Sequence, residues 1–307
     1  MKFVKPLFWN SKNLISIILF PLSLITLIIN ELKELNSKKK FLIKTICVGN
    51  TYLGGTGKTS LAIEIQNLLK KKFKTVFIKK NYPDHLDEIN LLKSKGEVIF
   101  KNSREESLHL ASKNKFELAI LDDGLQQKNI DYSVKIICFN ADEGFGNEYL
   151  LPAGPLRESI NQIKNYDIAF INGEKKNKHL NLKLKSINKN LQIFEGKYKP
   201  SNLKTFDLKK KYLMFCGIGN PHEFEKTLIK NKFLIKEKII YADHYKIPNK
   251  ILNQLKLKAK KKNLSLVTTE KDFFRLDKSQ RKNIKFLKTT LKIKDINKFK
   301  KLLISKL

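Results

Sequence analysis

The chain has 307 residues, of which 41% are hydrophobic, and a formal net charge of +33. This length is sufficient for two α/β domains that each bury a core. The positive charge favours an anionic partner, but nearly all of it comes from lysine, and only four residues are arginine. Nucleic-acid readers favour arginine, and the sequence contains neither an aromatic RNA-binding signature nor a zinc-finger spacing. We therefore expect no nucleic-acid partner and interpret the charge as compositional bias combined with affinity for a membrane surface.

The first predicted element is an apolar helix in the segment 1–35. Residues 14–29 are apolar apart from Ser16, Pro21, Ser23 and Thr26. A helix needs about 20 apolar residues to cross the hydrocarbon, so this run permits either crossing or insertion from one face. The absence of a small-residue cleavage site after it argues against a removed signal peptide. The alternative is a buried first helix of a soluble domain, although such a helix usually has a polar face.

From about residue 41, short β-branched runs alternate with segments of helical period, which indicates βαβ units and a mainly parallel sheet. The predicted strands of a first domain are residues 42–48, 75–78, 116–121, 134–139 and 168–171. Those of a second, smaller α/β domain are residues 212–216, 233–241, 264–268 and 284–287. We therefore predict domains at 36–175 and 212–307, joined by a polar connection at 176–211.

Three cysteines, Cys47, Cys138 and Cys216, lie in or beside apolar strand-like runs. This position predicts buried thiols in a reducing compartment and argues against a disulfide framework or a metal site. The five histidines are scattered and show no metal-ligand spacing either.

A glycine-rich segment follows the first predicted strand directly and leads into an amphipathic helical pattern. Glycines allow successive backbone N–H groups to surround phosphate oxygens at the positive N-terminus of a helix. The residues predicted to bind the phosphates of ATP are Gly54, Gly55, Thr56, Gly57, Lys58 and Thr59. Lys58 would reach the β- and γ-phosphates, and the Thr59 hydroxyl would ligate Mg²⁺. The strict pattern has a glycine at Tyr52, and the alternative interpretation is a glycine-rich turn with a chance Gly-Lys-Thr.

An acidic pair ends the predicted strand at 116–121. Ligands of open parallel sheets bind at the carboxyl ends of the strands, which is where Asp122 and Asp123 would lie. Either carboxylate would hold Mg²⁺ directly or through water. An isolated Asp-Asp-Gly is more often a plain turn, but the glycine-rich segment upstream favours the metal site.

The residues around these two elements resemble those of the tetraacyldisaccharide 4'-kinases. Val-Gly-Asn at 48–50 precedes Gly-Gly-Thr-Gly-Lys-Thr as in that family, and its Asp-Asp-Gly-Phe-Gln-His is similar to residues 122–127. Its Leu-Pro-Ala-Gly-Pro-Leu-Arg-Glu is intact at 151–158. Further blocks at residues 217–221, 242–245 and 269–272 follow in the family's order. The resemblance thus spans nearly the whole chain.

The resemblance implies a P-loop kinase that uses ATP and Mg²⁺ to phosphorylate the 4'-hydroxyl of a tetraacyldisaccharide 1-phosphate, forming lipid IVA. It also implies the cytoplasmic face of the inner membrane, because this glycolipid substrate stays in the bilayer and the enzyme must come to it. A membrane-associated P-loop NTPase that acts by hydrolysis alone is the competing interpretation. It requires no acceptor base and no sugar lipid.

The resemblance also implies roles for individual residues. Asp87 would accept the proton of the sugar hydroxyl with help from His244. Apart from the resemblance, the bidentate guanidinium suits phosphate, so Arg157 and Arg104 would neutralise phosphate charge. The residues predicted to contact the substrate are Tyr82, Glu88, Arg104 and Gln126. Asp87 could instead be an acid stabilised by a helix N-terminus, and His244 an ordinary loop histidine. The short spacing from Tyr82 to Asp87, and Gln127 in place of the motif's histidine, depart from the family pattern.

Overall fold

The structure is a computed structural model that describes residues 5–35, 37–81, 86–243 and 245–307, with residues 86 and 87 described by their backbone alone. The helices are α1 (Leu14–Glu34), α2 (Lys58–Leu69), α3 (Leu86–Lys93), α4 (Arg104–Lys113), α5 (Lys178–Ile187), α6 (Pro221–Lys230), α7 (Asn249–Lys261), α8 (Glu270–Arg275) and α9 (Ile296–Lys306). The strands are β1 (Lys44–Gly49), β2 (Thr75–Lys80), β3 (Val98–Lys101), β4 (Leu118–Asp122), β5 (Val134–Asn140), β6 (Ile168–Asn172), β7 (Gln192–Pro200), β8 (Lys211–Cys216), β9 (Leu234–Ile240), β10 (Ser265–Thr269), β11 (Ile284–Leu287) and β12 (Thr289–Ile293).

Within the described chain, eight strands form one sheet in the order β12-β7-β6-β5-β1-β4-β2-β3. All the pairs from β7 to β3 are parallel. Consecutive residues of the central strands enter different cores: Cys47 and Ile137 pack on one face, and Ile46 and Ile136 on the other. Such burial on both faces explains the near-continuous apolar runs of these strands. The predicted parallel sheet is therefore confirmed.

A second sheet has the order β11-β10-β8-β9, and its pairs are also parallel. It is again buried on both faces, with Met214 in one core and Leu213 in the other. The second α/β domain expected from the sequence is therefore present.

The two compact units have boundaries that differ from the predicted ones. The larger unit comprises Lys5–Asn81, Leu92–Tyr198 and Leu291–Leu307, and the smaller unit comprises Lys199–Thr290 with the segment that ends at Leu91. The stretch 176–211, predicted as a connection, contains α5 and β7. Most residues of β7 are only partly buried, which accounts for its polar sequence. The last residues, predicted in the second domain, join the larger unit because α9 buries Phe299 in that unit's core.

The three cysteines are free and buried, as predicted. Burial raises the pKa of Cys47 to about 12, against a smaller lowering by Arg104. Burial likewise raises the pKa of Cys216 to about 12. Both thiols therefore stay protonated at physiological pH, and they behave as small apolar core side chains.

Helix α1 exposes its apolar residues and covers its polar ones. Ser16 and Ser23 are buried, and Thr26 and Asn30 are partly buried, so the covered positions form one helical stripe. Apolar side chains on the remaining surface are largely exposed, with Ile18 at 66%. An 18-residue window of α1 has a mean hydropathy of 2.1 and is only 11% buried. A buried first helix of a soluble domain would show the opposite distribution.

Candidate nucleotide site

The glycine-rich loop joins the end of β1 to the start of α2. Gly57 is the N-cap of α2 and has φ +87°, a left-handed conformation that favours glycine. A Cβ atom at Gly57 would lie 2.6 Å from Nδ2 of Asn172, at the end of β6. The first N–H groups of a helix have no partner within it, so they are available to an anion at this end. The left-handed Gly57 and the start of α2 therefore fit a phosphate-binding loop.

Tyr52 occupies the position where the strict pattern has a glycine. In this described loop, positive φ angles occur at Gly54 and Gly57. The tyrosine is buried, forms a β-bridge with Leu156, and donates a hydrogen bond from its hydroxyl to Glu143. Burial and the Glu143 carboxylate raise the pKa of Tyr52. Tyr52 therefore holds the loop through its contacts with Leu156 and Glu143. Position 52 does not require the left-handed backbone conformation that favours glycine.

Two cationic side chains meet one carboxylate beside this loop. Nζ of Lys58 lies 3.8 Å from Oδ1 of Asp123 and donates to Oδ1 of Asn50 at 3.1 Å. Nη2 of Arg157 lies 2.9 Å from the same Asp123 oxygen and donates to the backbone oxygen of Asn50 at 2.7 Å. Arg157 also reaches Oδ2 of Asp123 through Nη1, at 3.3 Å. Both cations thus lie beside the predicted phosphate-binding loop.

The electrostatics keep Asp123 ionised. Burial alone would raise its pKa, but the charges of Lys58 and Arg157 outweigh it and hold the pKa well below the usual range. The carboxylate therefore balances two positive charges in the described structure. A polyphosphate carries more negative charge than one carboxylate, so it can compete for the same cations.

Asp122 has a different environment from its neighbour. Its side chain is fully buried, and its Oδ2 accepts hydrogen bonds from Oγ1 of Thr59 at 3.0 Å and from Nζ of Lys79 at 2.6 Å. Its Oδ1 is buried and has no hydrogen-bond partner among the described residues. An unpaired buried acceptor calls for a donor or a cation, and Mg²⁺ takes carboxylate and hydroxyl oxygens. Thr59 and Asp122 therefore fit the predicted magnesium ligands, whereas both oxygens of Asp123 contact Arg157.

Lys79 is a site residue that the sequence did not single out. It lies near the end of β2 and is only 3% exposed. Lysine is almost never so buried unless it is paired, and here it forms an ion pair with Asp122. The sequence feature that could have identified Lys79 is a lysine at the end of an apolar strand. In a chain with 62 Lys and Arg residues, that signal does not stand out.

Gln126 and Arg104, both predicted to contact substrate, contact the backbone of the site. Nε2 of Gln126 donates to the backbone oxygen of Asn50 at 2.9 Å. Arg104 is 7% exposed, and it donates to the backbone oxygen of Asp123 and, at 3.2 Å, to Oε1 of Gln127. These bonds fix the two chain segments that carry Lys58 and Asp123. A contact of either side chain with the substrate stays a prediction.

In the smaller unit, Glu88 contacts residues 269–272, one of the sequence blocks that resemble the tetraacyldisaccharide 4'-kinases. Oε1 of Glu88, on α3, lies 2.5 Å from Nζ of Lys271, on α8. The neighbouring Asp272 is buried and accepts hydrogen bonds from the Gly217 backbone N–H at 3.1 Å and from the Thr269 hydroxyl at 2.7 Å. Burial raises the pKa of Asp272. The start of α3 is therefore fixed to α8 by an ion pair.

Two of the predicted catalytic and substrate residues, Tyr82 and His244, lie outside the described residues. The backbone of Asp87 lies in the first turn of α3, one residue before Glu88, and its side chain is also outside the description. Their predicted roles stay predictions.

Comparison with known proteins gives a consistent result. A family model described as Tetraacyldisaccharide-1-P 4'-kinase matches residues 15–307. A Tetraacyldisaccharide 4'-kinase from Pelagibacter ubique is 44% identical over 303 residues, covering 96% of this chain and 95% of that protein. One from Rickettsia akari is 32% identical over 296 residues and covers 90% of each chain. The solved structure of LpxK from Aquifex aeolicus in complex with ATP has the same fold, with a TM-score of 0.72, 22% identity, and coverage of 95% of this chain and 99% of that one.

Proposed function

This chain belongs to the tetraacyldisaccharide 4'-kinase family, and from that premise we propose that it transfers the γ-phosphoryl group of ATP to the 4'-hydroxyl of a tetraacyldisaccharide 1-phosphate. The product would be lipid IVA. The observation that carries the proposed chemistry is the meeting of Lys58 with Asp123 and of Thr59 with Asp122, where the start of α2 faces the end of β4. Phosphoryl transfer depends mainly on positioning and charge stabilisation, which this arrangement supports.

On the nucleotide side, the backbone N–H groups of residues 54–59 bind the terminal phosphates at the N-terminus of α2. Lys58 turns from Asp123 to the β- and γ-phosphates, and Arg157 neutralises charge on the transferred group. Thr59 and Asp122 would hold Mg²⁺, which supplies further neutralisation of the phosphate charge. The unpaired buried oxygen of Asp122 supports this assignment over Asp123.

On the acceptor side, Asp87 accepts the proton of the 4'-hydroxyl, with His244 as its partner and Tyr82 as a substrate contact. A modest base is sufficient, because the reaction needs little more than a correctly oriented alcohol. The position of Asp87 in the first turn of α3, beside the Glu88–Lys271 ion pair, supports a fixed backbone for this base.

The defining experiment uses ATP labelled at the γ-phosphate, Mg²⁺ and tetraacyldisaccharide 1-phosphate in mixed micelles. We expect label in the glycolipid, and no labelled lipid from a matched acceptor whose 4'-hydroxyl is blocked. The competing NTPase would instead release labelled inorganic phosphate at a rate that neither lipid changes, and that result would overturn the proposed function.

We further propose that α1 lies along the cytoplasmic face of the inner membrane with its apolar side inserted. Its covered stripe donates hydrogen bonds to its own unit, from Ser23 Oγ to Leu150 O at 2.8 Å and from Thr26 Oγ1 to Leu151 O at 2.7 Å. A helix held along one side in this way supports insertion from one face rather than crossing. ATP is supplied in the cytoplasm, which supports the choice of face.

Replacing two exposed apolar residues of α1 by asparagine, Ile18→Asn with Leu32→Asn, is expected to weaken binding to vesicles. Ile18 is 66% exposed and Leu32 is 60% exposed. Burying a large apolar side chain stabilises by roughly 1.5–3 kcal/mol, so vesicle affinity should fall at least about 10-fold in a flotation assay. Leu182→Asn is the matched control, because Leu182 is 72% exposed on α5. Equal flotation of the double variant and this control would contradict the assignment.

A further inference from the structure

Helix α1 makes contacts that a lipid anchor does not require. The Ser23 hydroxyl donates to the Leu150 backbone oxygen and also accepts from the Ala153 backbone N–H at 3.2 Å. The Thr26 hydroxyl donates to the next carbonyl oxygen, that of Leu151, at 2.7 Å. An anchor needs only apolar surface, whereas hydrogen bonds to backbone atoms fix the position of the bonded segment. These bonds fix residues 150–153 relative to α1.

The same chain segment is bonded, a few residues later, to the phosphate-binding loop. The Leu53 backbone N–H donates to Pro155 O at 2.8 Å, and the Arg157 N–H donates to Thr51 O at 2.7 Å. Tyr52 forms a β-bridge with Leu156 between them. We call residues 150–157 the connecting segment, because it contacts α1 on one side and the phosphate-binding loop on the other.

Asn30 of α1 makes a further hydrogen bond to the connecting segment, at Arg157. Its Nδ2 donates to the backbone oxygen of Arg157 at 2.8 Å. The guanidinium of that arginine contacts Asn50 and Asp123 at the phosphate site. We propose that Asn30 is a positioning residue for Arg157, so that docking of α1 on the connecting segment sets the phosphate site and makes turnover depend on a lipid surface. This inference rests on the proposed function and extends it to regulation by the membrane.

The physical basis is a coupled equilibrium. In water, α1 buries little apolar surface by docking, and water competes for its polar side chains whenever the helix undocks from the connecting segment. A bilayer covers the exposed apolar side and lowers that competition, which strengthens the hydrogen bonds. Lipid therefore favours the docked helix, and the docked helix favours the Arg157 position that binds phosphate. By thermodynamic linkage, the lipid surface then strengthens nucleotide binding, and the nucleotide strengthens binding to the lipid surface.

Asn30→Leu removes the amide donor but keeps the side-chain size and adds apolar surface. We expect vesicle binding to be kept or strengthened. On vesicles, Mg-ATP affinity or kcat should fall roughly 5- to 100-fold, the cost of leaving the partly buried Arg157 carbonyl oxygen without its donor, with the KM for the glycolipid nearly unchanged. Asn30→Gln retains an amide donor and should restore most of the loss.

Ile29→Asn is the matched control, since it makes the opposite change at the adjacent, 46% exposed position. It should weaken flotation but leave Mg-ATP affinity unchanged at vesicle concentrations that saturate the variant, because the docked helix keeps its Asn30 donor. Unaltered affinity and kcat in Asn30→Leu would overturn the inference, as would a loss that Asn30→Gln does not restore. Mg-ATP affinity is measured with labelled ATP on vesicles without glycolipid, so failure of the proposed kinase reaction would be seen separately.

Discussion

Lys58→Met is expected to abolish phosphoryl transfer, lowering turnover by roughly 10³-fold or more. Methionine retains the length of the side chain but removes the positive charge from the N-terminus of α2. In the described structure, Nζ of Lys58 lies within 3.8 Å of Asp123, where the terminal phosphates are proposed to bind. Charge on the transferred phosphoryl group would then be met by Arg157 and the loop backbone without the lysine.

Single-turnover transfer from labelled ATP to the glycolipid measures this effect directly. Lys70→Met is the matched control, because Lys70 is an exposed lysine directly after the same helix and the change removes the same charge. Its turnover should equal that of the unmodified protein. If Lys58→Met retained turnover within about 10-fold of this control, the glycine-rich loop would not be the site of transfer.

A folded but inactive Lys58→Met would also confirm that the loss is chemical. Lys58 and Arg157 together lower the pKa of Asp123, so removing the lysine should raise that pKa while leaving the Arg157 pair in place. The partly exposed Lys58 carries little of the fold's stability, and we expect the thermal unfolding midpoint to change by only a few degrees.

The parts of the site that are contiguous in the chain were predictable from the sequence. The loop, its lysine and its threonine are consecutive residues between a strand and a helix, so local pattern is sufficient to identify them. Lys79 was missed because its meeting with Asp122 depends on strand order. β2 lies beside β4 only after a crossover, and no local pattern encodes which strand becomes the neighbour.

The same limit explains why the compact units differ from the predicted domain boundaries. Element types were predicted well, and the predicted strands at 134–139 and 212–216 differ from the observed ones by one residue at one end. The period of an amphipathic helix shows that one face is buried but not which core it enters. Phe299 and Leu303 of α9 therefore gave no sign that the chain returns to the larger unit.

The polar residues of α1 illustrate a third limit. In the sequence, Ser16, Ser23 and Thr26 interrupt an apolar run and lower its hydrophobicity as a membrane segment. In the structure they form the stripe that faces the protein, while the apolar residues are exposed. The hydrophobic pattern of a helix shows that its two faces differ in polarity. Which of the two faces is covered depends on the surface that packs against the helix.

Asp87→Asn is expected to lower turnover by roughly 10²- to 10⁴-fold, the usual loss when one positioned base is removed, while changing Mg-ATP affinity little. Asparagine has nearly the same size as aspartate but cannot accept the proton of the sugar hydroxyl. The backbone of residue 87 lies in the first turn of α3, where Glu88 is held 2.5 Å from Lys271. The substitution should therefore leave the helix in place.

The pH dependence of kcat/KM separates this role from a structural one. With a catalytic base at Asp87, the Asp87→Asn substitution should remove the fall in rate on the acid side of the profile, whereas Glu88→Gln should keep that fall even if it lowers the rate. An acid that only stabilises the α3 N-terminus would contribute about 0.3–1 kcal/mol to folding and almost nothing to turnover. Near-normal turnover with a lowered unfolding midpoint would therefore assign Asp87 to helix stability and leave the base to be sought elsewhere in the acceptor site.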